Sequence, residues 1–166
     1  MIELIALPLL SLILIIQTAI ISRISLLGGY ADLMLVAIAA WSLQKDVETS
    51  WHWAIFGGLL VGWSSALPWF VPPIGYLLTV ALARLMVRRI WQAPILAIFL
   101  LVFLGTLTVH LLSILVLRLL GSPMSIADAL SVVTLPSLFI NLFLALPAYP
   151  IFRDLAVWVY DIEDVQ

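Results

Sequence analysis

Cysteine is absent from this chain, and charged residues are scarce. Of the 166 residues, 10% are charged and 65% are hydrophobic. The lack of cysteine excludes a disulfide framework, a thiolate metal site and a thiol nucleophile. A soluble domain of this size has roughly a quarter of its residues charged, because polar surface must cover its core. The composition therefore predicts an integral membrane protein, and the net charge of −2 argues against a nucleic-acid partner.

Motifs for catalysis and for cofactor binding are missing as well. The chain has no Gly-rich phosphate loop, no cluster of metal ligands and no Asp-rich motif of the kind that holds Mg²⁺ in membrane phosphotransferases. It also lacks the pair of intramembrane carboxylates that would indicate an ion-coupled carrier. We therefore expect a protein that is not an enzyme and that uses no cofactor.

Six apolar segments approach the roughly 20 residues that a membrane span needs. We predict an all-α bundle of six transmembrane helices in one domain of residues 1–150, at about 4–22, 30–44, 52–67, 73–88, 94–118 and 126–150. Glu3 stands where a signal peptide carries a basic residue, so the first segment is expected to be a retained span. Spans three and four are short. They either both cross or form a hairpin that crosses incompletely, and two short crossings are favoured.

The basic residues predict the orientation of the bundle. If the N-terminus is cytoplasmic, five basic residues fall inside and two outside, which favours both termini inside the cell. The inner set is Lys45, Arg84, Arg88, Arg89 and Arg153, and the outer set is Arg23 and Arg118. Tryptophans near the span ends, such as Trp41, Trp53 and Trp69, are expected to lie at the membrane interfaces. The protein is therefore predicted to be a multi-pass membrane protein with both termini in the cytoplasm.

Start and stop signals flank the sixth span. Ser125 and Asp128 resemble a capping box, which predicts a helix start there. After Pro150, the apolar positions Ile151, Leu155 and Trp158 follow the spacing of one helix face. Residues 151–166 are thus predicted to be a short cytoplasmic or interfacial tail.

A stripe of small residues runs along span three. Its members, Ala54, Gly58, Gly62 and Ala66, are each four positions apart and so share one helix face. In a bilayer, small residues let two helix backbones approach closely. We expect this stripe to bind a transmembrane helix of a partner protein.

Three polar residues stand within or beside apolar spans and need an explanation. His110 is either a proton or substrate group or, as we favour, a neutral side chain hydrogen-bonded to a neighbouring helix. Asp32 precedes span two, where a cap for the helix N-terminus is favoured over partner recognition. Asn141 lies in span six after Pro136 and needs a partner in hydrocarbon, which indicates a structural or interface role or the wall of a ligand cavity.

Ser64 and His110 resemble superficially the Ser–His pair of rhomboid intramembrane proteases. Such a pair requires a serine activated by a base within hydrogen-bond reach. Ser65 follows where those enzymes have glycine, and a second histidine for an oxyanion hole is missing. A protease is therefore disfavoured.

Four of the predicted spans each contain a different short motif. These motifs are residues 31–35 with Trp41 in span two, residues 54–62 in span three, Gly75, Tyr76 and Leu77 with Arg84, Arg88 and Arg89 in span four, and Pro136, Asn141, Pro147 and Tyr149 in span six. In order and spacing they resemble the MreD family of rod shape-determining proteins, small bacterial inner-membrane proteins of about six spans. Where that family keeps an Asp in span three this chain has Gly62, so no role of that carboxylate carries over.

The resemblance implies a non-catalytic membrane scaffold of the cell-elongation machinery, the elongasome. MreD proteins bind the bitopic protein MreC, and together they support the peptidoglycan polymerase RodA, its transpeptidase partner PBP2 and, indirectly, MreB filaments. The family is also similar in fold to the substrate-binding subunits of energy-coupling-factor transporters. This similarity supplies the alternative function, a membrane subunit that takes up a vitamin-type small molecule. Such a subunit would need a polar pocket that opens outward, and the outer loops offer few polar groups.

Overall fold

Every secondary-structure element in the described part of the chain is a helix, which confirms the predicted all-helical fold. A computed structural model describes residues 2–19, 28–44, 47–87 and 93–160, with backbone alone for 2–4. Its helices are α1 (Ile2–Ala19), α2 (Leu33–Ser42), α3 (Ser50–Ser64), α4 (Val71–Val87), α5 (Pro94–Leu119) and α6 (Ile126–Tyr160). The basic residues Arg23, Lys45, Arg88 and Arg89, on which the predicted orientation partly depends, lie outside the described residues.

Two of these helices, α5 and α6, are long and apolar enough to cross a membrane. The second helix is much shorter than its predicted span of residues 30–44. With ten residues it is about 15 Å long at a rise of 1.5 Å per residue. This is about half of a hydrocarbon core of roughly 30 Å. The predicted span was too long at its start because the backbone is not helical before Leu33.

Helix α2 lies at the centre of the bundle. Nine of its ten residues are buried, and it packs against every other described helix. Its side chains are almost all apolar or small, from Met34 to Ala40, so they can fill a core on every side. A helix that is hydrophobic all round is typical of such a buried position.

The start and end of α6 show one confirmed prediction and one correction. Ser125 caps the helix by accepting a hydrogen bond from the Asp128 N–H at 3.1 Å, as the capping box predicted. The helix does not end at residue 150, however, and the predicted separate tail helix is the last part of α6 as far as Tyr160. Phe152 and Ala156 in this part are buried in the bundle, and their packing holds the helix together beyond its prolines.

A π-helical stretch, Ala129–Thr134, interrupts α6 just before Pro136. In a regular α-helix the ring of Pro136 would clash with the carbonyl group of Val132, and one hydrogen bond would be lost. The π-helical stretch includes Val132, so the helix departs from α geometry at the residue that the proline ring would otherwise meet. The Thr134 hydroxyl also donates to the Ala129 carbonyl oxygen at 3.0 Å. Thr134 is thereby oriented towards the bundle interior, where it is buried.

The small-residue stripe packs inside the chain, which corrects the expectation that it is a free binding face. A Cβ atom added to Gly58 would lie 2.4 Å from Cα of Pro73, and one added to Gly62 would lie 2.3 Å from the carbonyl oxygen of Trp69. Ala54 is fully buried, and only Ala66 at the end of the stripe is exposed. The close approach of backbones that the stripe predicts does occur, but within the chain: Gly58 packs on Pro73 of α4, and Gly62 packs on Trp69 in the turn before α4.

An aromatic cluster closes the opposite end of the bundle from the α3–α4 turn. The Trp41 and Trp53 rings stack at 4.4 Å, and Phe152 meets Trp53 edge-on at 6.2 Å. Both tryptophans are buried in the bundle, whereas Trp69 is exposed, and the location of all three at membrane interfaces stays a prediction. The Arg84 guanidinium donates at 2.7 Å to the Val47 carbonyl oxygen and thereby holds the α2–α3 connection.

We expect the substitution Gly58→Ala to destabilise the protein by about 1–3 kcal/mol, as overpacking does. The added methyl group would meet the Pro73 backbone, which cannot rotate away. Thermal unfolding of the purified protein in detergent measures the effect.

The neighbouring Gly57→Ala is the matched control for this substitution. Its methyl group would meet the Met34 sulfur at 2.9 Å and the end of the Ile38 side chain at 3.0 Å, and both groups can adjust. A smaller loss is therefore expected. Equal melting temperatures for Gly58→Ala and the unaltered protein would contradict the packing of α3 on α4.

Candidate functional site

The segment before α2 enters the bundle as extended backbone. Gly28 has a φ of +91°, which a residue with a side chain rarely adopts. A Cβ atom on Gly29 would lie 2.5 Å from the Ser137 backbone nitrogen of α6. The two glycines thus let the chain turn and then pass directly over α6. In consequence α2 begins inside the bundle and not at its surface.

Side chains from neighbouring helices satisfy the backbone N–H groups of this segment. The first N–H groups of any helix have no partner within the helix. Here the Tyr30 N–H donates to Ser137 Oγ at 3.0 Å, and the Asp32 N–H donates to Asn141 Oδ1 at 2.8 Å. The Met34 N–H donates to Gln17 Oε1 at 3.0 Å, so α1 contributes as well as α6. Irregular backbone deep in a membrane protein is tolerated only with such pairing or beside a cavity.

Asp32 caps α2 and also accepts hydrogen bonds from another helix. Its Oδ1 atom accepts from the Leu35 N–H at 3.0 Å, which is the capping role that the sequence predicted. The Tyr76 hydroxyl of α4 lies 2.8 Å from Oδ1 and 2.9 Å from Oδ2. The carboxyl group is buried. It therefore joins the start of α2 to the first half of α4.

Asn141 connects this network to α5. Its side-chain carbonyl accepts from Asp32, and its amide group donates to Thr106 Oγ1 at 3.1 Å. Both Asn141 and Thr106 are fully buried, and Thr106 lies halfway along the 26-residue α5. The structure thus agrees with the structural role predicted for Asn141. Its one amide group, on α6, binds both the segment before α2 and helix α5.

A cavity of about 570 Å³ lies beside this network. Its walls come from the ends of α1 and α3, the start of α4, the extended segment and the second half of α5. Polar side chains on the walls include Gln17, Tyr30, Asp32, Ser65, Tyr76 and His110. The helix ends that meet here are those that the predicted orientation places outside the cell. Ligand cavities in proteins are typically of about 300–1,000 Å³ and combine apolar walls with a few polar groups.

His110 lies on the cavity wall and is bonded to α6. Its Nδ1 atom is 3.2 Å from the Thr134 hydroxyl, and its ring stacks on Tyr30 with centroids 5.7 Å apart. Thr106 and Ser113, four positions before and three positions after His110 and so on the same face of α5, are buried too. The structure therefore confirms the favoured prediction for His110, a hydrogen bond to a neighbouring helix.

Ser64 and His110 both line the cavity but do not form a dyad. The Ser64 hydroxyl donates to the Val61 carbonyl oxygen at 3.2 Å, whereas His110 Nδ1 contacts Thr134. Within the described residues no hydrogen bond joins the two side chains. The geometry offers no activated serine.

Sequence reasoning missed the partners that complete the network. Tyr76 was noted only as part of a short motif, and Gln17, Thr106 and Ser137 were not linked to the start of α2. A buried phenol always calls for a hydrogen-bond acceptor. That signal was present for Tyr76, but nothing in the sequence states that the acceptor is Asp32, 44 positions away.

We expect Thr106→Val to lower the stability of the protein by about 1–3 kcal/mol, because the buried Asn141 amide would lose its acceptor. Thr108→Val is the matched control on the same helix, since the Thr108 hydroxyl donates only to the Leu104 carbonyl oxygen of its own helix at 2.7 Å. That control should change stability much less. Thermal unfolding in detergent compares the two, and equal effects would contradict the structural importance of the network.

Comparison with known proteins adds no relative to this picture. No protein-family model, curated protein or solved structure matches the chain. The function must therefore be argued from the residues and their geometry.

Proposed function

We propose that the chain is a six-span protein of the bacterial inner membrane that acts as a non-catalytic scaffold of the cell-elongation complex. In this proposal it binds MreC and supports peptidoglycan synthesis by RodA and PBP2, with MreB as an indirect partner. Both termini lie in the cytoplasm. The two long apolar helices support a membrane location, and the MreD-like motifs supply the choice of complex.

The observation that carries this proposal is the convergence of the motif residues. Asp32, Tyr76 and Asn141 come from three separate MreD-like motifs, and in the folded chain they form one buried network through hydrogen bonds of 2.8–2.9 Å. A shared network is what is expected if these motifs maintain one common fold.

The partner surface is proposed to lie on the outer helices and not on the small-residue stripe. Helix α4 covers Gly58 and the turn before α4 covers Gly62, so a partner helix has no access to these two glycines. Large apolar side chains are exposed on several helices, among them Ile15 on α1, Leu85 on α4 and Phe143 on α6. Each of these offers a position from which a neighbouring transmembrane helix can be detected.

We expect this chain to co-purify in mild detergent with MreC from the same organism. A photo-crosslinking residue placed singly at position 15, 85 or 143 should join MreC from at least one position, because the bundle is surrounded either by lipid or by partner helices. Mass spectrometry of the crosslinked product identifies the partner.

Crosslinking at position 38 is the matched control, since the Ile38 side chain is fully buried and cannot reach a partner. An unrelated single-span protein expressed at the same level tests specificity. If MreC is absent from the purified material and from every exposed crosslink, the scaffold proposal fails.

The cavity favours a second candidate function, a membrane subunit that binds a small molecule for uptake. That function needs a polar pocket opening outward, and the sequence offered few polar groups in the outer loops. The polar groups come instead from the walls of the bundle, including Gln17, Asp32 and Tyr76. A cavity of about 570 Å³ has room for a vitamin-sized ligand.

If the second candidate holds, native mass spectrometry of the purified protein should show a bound small molecule. Ala66→Trp should abolish the bound mass, because residue 66 is exposed and lines the cavity. Phe56→Trp is the control, since Phe56 is exposed on α3 outside the cavity. Retention of the ligand by Ala66→Trp would place the binding site elsewhere.

A further inference from the structure

The described residues that line the cavity include one acidic side chain and no basic side chain. The acidic residue is Asp32, and among the described residues around the cavity there is no lysine or arginine. No described basic side chain forms an ion pair with Asp32 either. A buried carboxylate without a cation is costly unless donors or a counter-ion compensate it. The described residues supply donors to Asp32 but no positive charge.

The donors that reach Asp32 leave part of its capacity unused. An ionised carboxylate has about four acceptor sites on its two oxygen atoms. Oδ1 accepts from the Leu35 N–H, the Tyr76 hydroxyl lies against both oxygen atoms, and the Met34 N–H, which donates to Gln17, also faces the carboxyl group. These three donors are fewer than the acceptor sites, so acceptor capacity remains on the carboxylate.

An aromatic group on the cavity wall suits an ammonium group. The Tyr30 ring lines the cavity, and aromatic faces attract organic cations. His110 stacks on Tyr30 and lies against the Thr134 hydroxyl.

We propose that the cavity binds a small organic ammonium ion, with the Asp32 carboxylate as its principal acceptor. The proposal rests on the cavity of the second candidate function and requires binding, not transport, so it is independent of MreC binding. The same chemistry is present in a free primary amine and in the headgroup of phosphatidylethanolamine. An anionic ligand is excluded from this site by the carboxylate, because like charges repel.

A series of three aromatic analogues of equal size tests the charge of the ligand. Tyramine is cationic, tyrosol is neutral and 4-hydroxyphenylacetate is anionic. Tyramine should raise the melting temperature of the purified protein with increasing concentration. It should bind about tenfold or more tightly than tyrosol, since the tyrosol hydroxyl can donate a hydrogen bond to Asp32 but carries no positive charge to pair with the carboxylate. Equal binding of all three, tighter binding of tyrosol or the anion, or no shift with tyramine overturns the proposal.

The substitution Asp32→Asn tests the acceptor. It removes the charge and keeps the shape, so tyramine binding should weaken about tenfold or more. Asp154→Asn makes the same change of charge at an exposed site, where the carboxylate pairs with Arg153 at 2.9 Å, and should leave binding unaltered. Unchanged tyramine affinity in folded Asp32→Asn overturns the proposal. If that variant does not fold, the analogue series on the unaltered protein decides.

Lipid discs of defined composition separate the two sources of the ammonium group. If the ligand is a lipid headgroup, native mass spectrometry should show phosphatidylethanolamine retained in preference to phosphatidylglycerol and displaced by tyramine. If it is a free amine, tyramine should bind and neither lipid should be retained. Tighter binding of the neutral analogue would overturn the inference that the ligand is a cation, but it would still show that the cavity binds a small molecule. Failure of this inference is thereby distinguished from failure of the second candidate function.

Discussion

The structure depends on the pairing of backbone N–H groups where α2 begins inside the bundle. A helix that starts in an apolar interior exposes donors that water cannot reach, and each unpaired donor would cost about 1–3 kcal/mol. Ser137, Asn141 and Gln17 meet these donors from two other helices. Their positions fix where α1 and α6 stand relative to α2. The polar residues in the apolar spans are thus structural requirements of the buried helix start.

The cavity is a consequence of the same short helix. Because α2 covers only about half of a membrane thickness, the space above its N-terminus is bounded by its longer neighbours and is not filled by the helix. The carboxyl group that caps α2 is therefore also the floor of that space. A single residue, Asp32, connects the stability of the fold with the chemistry of the cavity.

Gly58 and Gly62 show why a sequence pattern predicts an interaction better than it predicts the partner. The four-residue spacing correctly indicates that two helix backbones touch. It contains no information on whether the second helix belongs to the same chain. The turn between α3 and α4 is short, so this turn and the start of α4 pack on the glycine face of α3. Trp41 and Trp53 make the same point, since an aromatic residue at a span end can stack inside the bundle as well as lie at an interface.

The sequence by itself determined the helical class, the approximate position of five of the helices, the capping roles of Asp32 and Ser125 and the need of Asn141 for a partner. These follow from composition and from local hydrogen bonding, which depend on neighbours a few residues away. Only the tertiary structure decided that α2 is half-length, that α6 continues past Pro150, and that Tyr76 meets Asp32 beside a cavity. Those features arise from contacts between residues far apart in the chain, and such contacts leave no local pattern.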